Sequence, residues 1–299
     1  MLKVENITKY YGPLKAVDNL SFTVNEGDIF GLLGVNGAGK TTTFRVIMGL
    51  LDDYLGTVTL DGEKIDYSVT DKIGFLTEER SLLTKLTVME QAEYYGVLKG
   101  MTKEAVEKEL DKWLKRFEIE EYKYRKIKEL SKGNQQKVQF ITAIINNPRL
   151  LILDEPFTGL DPLNVEMFKG VIKEFEKKGA IIIFSSHRME HVELFCEKIV
   201  VLVEGRSVLE GRIKDIKRNF RKKNIFIKGN VEKEKLKAIE GVLSVVKKSD
   251  EYEVKITDEK YLDKVFKYVT KCNEVTKFIV EEPSLNEIFV AKVGEQYGE

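Results

Sequence analysis

Residues 34–41, Gly34-Val35-Asn36-Gly37-Ala38-Gly39-Lys40-Thr41, constrain this chain more than any other stretch. They follow an apolar, strand-like run (28–33) and lead into a helix-like one (42–50). The pattern is G-x-x-x-x-G-K-[ST], the phosphate-binding P-loop. Its chemistry needs these residue types. Glycines let the backbone curl so that successive N–H groups converge on an anion. The helix that follows turns its positive end to the same place. Lys40 adds a full charge, and the Thr41 hydroxyl suits Mg²⁺. Gly34, Asn36, Gly37, Ala38, Gly39, Lys40, Thr41 and Thr42 are therefore expected to line a nucleotide site.

The rest of the composition fits a soluble protein of one large or two smaller domains. The chain has 299 residues, 42% hydrophobic and 33% charged, with 49 basic and 49 acidic side chains. Zero net charge argues against nucleic acid as a partner. The longest apolar runs are strand-length, far below the ~20 residues of a membrane span. The opening residues lack the apolar core of a signal peptide, so folding in the cytosol is expected. Cys196 and Cys272 are far apart without metal-ligand spacing, and both are expected to be small buried side chains.

Alternating apolar and polar residues predict strands over 2–8 and 20–24, then 29–33, 56–60 and 73–76. Residues 88–128 look helical and densely charged. Within them Val106, Leu110, Trp113, Leu114 and Phe117 form one stripe. Strands at 150–153, 180–184 and 199–203 alternate with a helix at 164–177, which predicts an α/β core with a largely parallel sheet. A basic stretch, 218–223, loses the apolar pattern and is expected to be a linker. Beyond it the order is β-α-β-β-α-β, a ferredoxin-like arrangement, closed by a helix at 284–291. The expected domains are 1–217, with a helical subdomain at about 79–145, and 224–299.

Further motifs follow the P-loop in order. Leu150-Leu151-Ile152-Leu153-Asp154-Glu155 is an apolar strand ending in two acids, a Walker B pattern. A carboxylate at the end of a parallel strand faces the ligand crevice of such a sheet. Leu130-Ser131-Lys132-Gly133-Asn134-Gln135-Gln136-Lys137 precedes an apolar-periodic helix that Ser131 can cap. Together these resemble the ATP-binding cassette (ABC) ATPases, whose signature is usually written LSGGQ. Lys132 and Asn134 depart from that pattern, as in the version common in ABC type-2 exporters. Thr158-Gly159-Leu160-Asp161 resembles the D-loop, and Ser185-Ser186-His187 the segment that carries the H-loop histidine. Tyr10-Tyr11-Gly12 resembles the aromatic loop on which adenine stacks, with Tyr11 the better match and Tyr10 a substitute. Ile73-Gly74-Phe75-Leu76-Thr77-Glu78 stands where the Q-loop belongs, with Glu78 in place of glutamine and Glu79 as its rival. A carboxylate there accepts hydrogen bonds, cannot donate an amide N–H, and adds negative charge that Mg²⁺ or Arg80 would offset. His191, four residues after His187, lacks a third ligand, and a solvated helix position is expected for it.

The resemblance covers residues 1–215 strongly and the tail loosely. It implies a P-loop cassette with a mixed sheet core, an antiparallel β subdomain and a helical subdomain. It implies hydrolysis of ATP with Mg²⁺ held near Thr41, Asp154 and Glu78, with Glu155 activating water and His187 contacting the γ-phosphate. Ser131, Gly133, Gln135 and Asp161 would act across a dimer of cassettes, a homodimer or a heterodimer. The partner would be an integral-membrane permease, placing the chain on the inner face of the cell membrane, with export of ions or drugs as the expected task. A soluble ABC ATPase acting on ribosomes or DNA is the alternative. A P-loop kinase or GTPase has no use for the signature, D-loop and His187 together.

Overall fold

The computed structural model describes residues 1–79 and 81–297, so Arg80 lies outside the described residues. Two compact units emerge, Met1–Glu210 and a second that begins at Gly211.

The first unit opens with β1 (Leu2–Tyr11), β2 (Leu14–Val24), β3 (Ile29–Gly34) and α1 (Lys40–Ile47). β4 (Leu55–Leu60), β5 (Glu63–Lys64) and β6 (Ile73–Leu76) follow. Next come α2 (Val88–Leu98), α3 (Lys103–Arg116), α4 (Lys132–Ile144), β7 (Leu150–Asp154), α5 (Pro162–Lys177), β8 (Ile181–Ser185), α6 (Met189–Phe195), β9 (Lys198–Val203) and β10 (Arg206–Arg212). Strands β2-β1-β4-β5 form an antiparallel sheet. A second sheet has the order β10-β9-β3-β8-β7-β6, and its pairs from β9 to β6 are parallel. The core lies between the two sheets. Val4, Val17 and Leu20 on one side meet Phe30, Leu32, Ile152 and Val200 on the other. Parallel strands buried on both faces explain the unbroken apolar runs of β7 and β8.

The helical insert is pinned by caps and aromatics. Thr87 and Glu90 form a reciprocal capping box at α2, and Thr102 caps α3. Phe140 of α4 stacks on Phe168 of α5 at 4.5 Å, while Trp113 of α3 stacks on Phe175 at 6.1 Å. Gly74 of β6 lets α4 come close, since a Cβ there would sit 2.3 Å from the Ala143 carbonyl oxygen.

The second unit holds α7 (Ile213–Asn219), β11 (Lys223–Lys228), α8 (Lys233–Lys237), β12 (Val242–Lys248), β13 (Glu251–Ile256), α9 (Leu262–Val269), β14 (Lys277–Glu281) and α10 (Leu285–Tyr297). Its antiparallel sheet runs β12-β13-β11-β14. Ile225, Ile227, Val254 and Ile256 pack one sheet face against Leu236, Val265 and Val269.

Several expectations need correction. The first hairpin is longer than the apolar alternation implied, turning at Gly12 with φ 57°. Residues 88–128, expected to be helical, hold two helices, α2 and α3, followed by short 3-10 turns. The stretch 218–223, expected to be a linker, lies partly within regular elements. Residues 218 and 219 close α7, which anchors itself by burying Ile213 and Ile216 one turn apart, and β11 starts at Lys223. β10 was not expected, because Arg-Ser-Val-Leu-Glu-Gly-Arg shows no clear period.

Candidate functional site

Parallel pairing brings the C-terminal ends of five strands to one edge. Gly34 of β3 lies opposite Leu202 of β9, Leu76 of β6 opposite Leu153 of β7, and Asp154 opposite Ser185 of β8. The chain leaves these ends as the P-loop, the 77–79 loop and the 185–187 segment. That edge is where ligands bind in open α/β sheets.

Tight steric requirements hold the P-loop. Gly39 caps α1 with φ 103°, and a Cβ there would stand 2.4 Å from the Ala16 carbonyl oxygen. Gly205 donates its N–H to the Ala38 carbonyl at 3.1 Å. Lys40 Nζ donates to the carbonyls of Gly34 and Val35 at 2.7 and 3.2 Å. Its ammonium thus lies within the curl of the loop it would share with a phosphate.

A cleft of about 740 Å³ is lined by Asn36, Gly37, Ala38, Gly39, Lys40, Thr41 and Thr42 on one side and by Tyr11, Glu78, Asp154 and Glu204 around them. Tyr11 and Tyr10 are both exposed, but only Tyr11 lines the cleft, and Lys9 Nζ sits 5.0 Å from the centre of its ring. Glu78 lines the cleft, whereas Glu79 does not.

Asp154 is buried and accepts a short hydrogen bond from the Ser185 hydroxyl. Burial pushes its carboxyl above the ordinary carboxylate range; Ser185 and Lys40 pull it down, and the charges of Glu78 and Glu155 push it further up. Asp154, Glu78 and Thr41 together offer only hard oxygen donors around a cleft where two carboxylates repel. That donor set fits a divalent cation such as Mg²⁺.

Glu155 is buried beside it, with a left-handed backbone at φ 49°. Such a conformation costs a non-glycine residue about 1–3 kcal/mol. Three donors surround its carboxylate. The His187 backbone N–H reaches Oε1 at 2.5 Å, the Ser186 hydroxyl reaches Oε2 at 3.3 Å, and His187 Nδ1 lies 2.9 Å from Oε2. The His187 side chain is 71% exposed, so the imidazole faces outward from a carboxylate that does not.

The signature residues lie elsewhere. Ser131 caps α4, its Oγ accepting from the Asn134 N–H at 3.2 Å, and neither Ser131 nor Gly133 lines the cleft. The Gln135 amide is turned back on its own segment, donating to the carbonyls of Ile127 and Leu130 at 3.1 and 3.2 Å. Asp161 caps α5 through Oδ1, which accepts the Asn164 N–H at 2.9 Å, with Pro162 in the first turn. His191 departs from its expected solvated position. It is buried edge-on against Phe157 at 4.8 Å, and burial pushes its pKa below the ordinary imidazole value. Cys196 is buried and Cys272 half-buried.

Sequence reasoning did not find Ser185 as the partner of Asp154, nor Gln136 and Gln139 of α4. The Gln136 amide donates to the Pro156 carbonyl at 3.3 Å, next to Glu155. Glutamines inside a signature helix carry no local mark that distinguishes a buried partner from a solvated one.

A model of the family described as ABC transporter matches residues 17–158, and one described as ATP-binding protein DrrA1-3-like, C-terminal domain, matches residues 211–293. The chain is 46% identical over 297 residues to the uncharacterized ABC transporter ATP-binding protein YhaQ of Bacillus subtilis (strain 168), covering 99% of this chain and 100% of that one. A solved ATP-binding subunit of an ABC transporter superposes with a TM-score of 0.69 at 31% identity, over 74% of this chain and 93% of the other. The dimeric structure of MJ0796, a bacterial ABC transporter cassette, gives a TM-score of 0.65 at 29% identity, over 71% of this chain and 99% of the other.

Proposed function

Because the chain belongs to the ATP-binding proteins of ABC transporters, and ATPase activity coupled to transport is the work of that family, we propose that it drives an exporter by ATP-dependent closure of two cassettes. One observation carries this reading. Lys40, Thr41, Asp154 and Glu78 surround one cleft, while Ser131 and Gly133 of the same chain do not line it. A second cassette has to bring its signature to this nucleotide, and a two-fold homodimer is the simplest arrangement. The MJ0796 cassette, similar to this chain, is described as dimeric.

In this reading adenine stacks on Tyr11, and the triphosphate lies along residues 36–42 with Lys40 at its β- and γ-phosphates. Thr41, Asp154 and Glu78 would hold Mg²⁺, which would supply charge neutralisation when bound. Glu155 takes a proton from the attacking water, and His187 holds Glu155 in place while its exposed ring meets the γ-phosphate. Little covalent work is left for the protein; positioning and electrostatics carry the step. Among the described residues no helix is long and apolar enough to cross a membrane. ATP-binding proteins of ABC transporters work with a permease, which in this reading carries the transport path, and the groove between β6 and helices α2 and α4, lined by Phe75, Tyr95 and Thr142, is where its helix would seat. Export, with ions or drugs as cargo, rests on the signature variant and on the DrrA1-3-like second unit. The relatives reported above are transporter subunits, so action on ribosomes or DNA is set aside.

The test is the specific ATPase activity as a function of protein concentration. Activity per chain should fall on dilution as dimers separate. Constant specific activity down to low nanomolar chain would defeat the two-cassette reading.

A further inference from the structure

Gln139 is a buried side chain in the second half of α4 that nothing in the reading above uses. Its Nε2 donates to Thr77 Oγ1 at 2.8 Å, to the Thr77 carbonyl at 3.1 Å and to the Glu79 carbonyl at 3.3 Å. The two carbonyls flank Glu78 on either side. The amide orientation is dictated by its neighbours, since turning it over would aim Oε1 at two carbonyl oxygens. Oε1 itself is buried without a hydrogen-bond partner among the described residues. An unpaired buried amide oxygen costs stability. A helix that needed only packing at this position would do better with an apolar side chain.

We propose that Gln139 is a positioning residue that brackets Glu78 and holds its carboxylate on the metal side of the nucleotide cleft. Both ends of the bracket are stiff. α4 rides directly on β6, where Gly74 leaves no room for a side chain against Ala143, and β6 runs on into Thr77. The same helix is capped by Ser131, eight residues before Gln139. A signature that engages a neighbouring cassette's nucleotide is thereby tied, through one helix and one amide, to a carboxylate in its own cleft. Glu78 cannot hold itself there by donating, because an ionised carboxylate only accepts. Gln139 donates to the backbone on both sides, and the Thr77 hydroxyl, itself bonded to Gln139, donates to the same Glu79 carbonyl.

The inference rests on the ATP-and-Mg²⁺ reading of the cleft, and its test separates the two. In the full chain, the affinity of a fluorescent ATP analogue is measured by equilibrium titration in EDTA and in saturating Mg²⁺. The ratio is the metal-dependent gain. Gln139→Met keeps the side-chain shape and removes the donor, and Gln139→Leu removes it with a different side chain. Both should leave the EDTA affinity unchanged and cut the metal-dependent gain by about tenfold, within the range seen when supporting partners of metal ligands are lost. Glu78→Gln should cut the gain similarly, and Gln139→Met combined with Glu78→Gln should cut it no further than either alone. An unchanged gain, equal losses with and without metal, or additive losses would overturn the inference while leaving the ATP site intact. Failure of both Gln139 variants to fold, read by a thermal melt, would make the residue purely structural and overturn it too. A parent chain with no metal-dependent gain would overturn the cleft reading and this inference together.

Discussion

His187 grips Glu155 twice, through its backbone N–H to Oε1 at 2.5 Å and through Nδ1, 2.9 Å from Oε2. The pair joins a residue just beyond β7 to one just beyond β8, so the sheet itself sets the distance between the Glu155 carboxylate and the outward-facing imidazole. Glu155→Gln keeps the shape and loses the carboxylate that accepts the proton in the proposed mechanism. It should preserve ATP affinity and lower turnover by about 10²–10⁴-fold, the usual share of a general base. Size-exclusion chromatography with ATP should then show an accumulated dimer. Turnover at the parent rate would remove Glu155 from its assigned role.

Asp154 makes an opposite prediction for stability. Burial, with Glu78 and Glu155 nearby, raises its folded-state pKa above the unfolded value. Between those two values the folded chain binds the proton that the unfolded chain has released, so stability falls as pH rises through this window. At neutral pH the buried charge is a net cost. Asp154→Asn should therefore raise the melting temperature of the nucleotide-free protein, by about 2–4 °C for each kcal/mol relieved. The gain over the parent should shrink as pH drops below the folded pKa. In the same variant, Mg²⁺ should no longer strengthen nucleotide binding.

The glycines of the P-loop should respond unequally. Gly39→Ala combines a left-handed backbone, φ 103°, with a Cβ 2.4 Å from the Ala16 carbonyl. Gly37→Ala meets φ 81° but open space. Urea denaturation should show about 1–2 kcal/mol lost for Gly37→Ala, the cost of the backbone alone. Gly39→Ala should lose clearly more and should abolish nucleotide binding. Equal losses would contradict the close packing of β2 against the loop.

Glu287 in the second unit gives the acid-side counterpart. Burial acts to raise its carboxyl, but the Lys255 ammonium, the Ser284 N–H and the Asn224 amide outweigh it and hold the pKa at about 2, against an ordinary 4.5. Stability from this group is complete above the unfolded value and is lost as pH falls toward about 2. Glu287→Gln should melt earlier than the parent at pH 7, and the difference should close progressively between about pH 4.5 and 2. A pH-independent difference would assign the loss to packing instead.

How much of this was legible in the sequence depends on how local each requirement is. A tight backbone curl has to be made from glycines at fixed offsets, and a strand ending in acids announces itself within six residues, so the loop before α1 and the strand that brings Asp154 to the cleft could be read directly. The β-α-β-β-α-β order after Lys223 was readable for the same reason, since each element carries its own period. Ser185 and Asp154, or Gln139 and Thr77, meet across 31 and 62 positions of chain, and no window of sequence contains both. Basic side chains around Arg218 suggested a linker because they mask two isoleucines one turn apart. His191 looked solvated because Phe157, which covers it, comes from a different loop.

The left-handed backbone at Glu155 sets turnover and durability against each other. Glycine would occupy φ 49° without strain and would remove a buried carboxylate besides. Laboratory selection for heat resistance alone would be drawn to Glu155→Gly, a change that the proposed mechanism makes inert, and on that mechanism only selection that also demands turnover keeps the acid where it is.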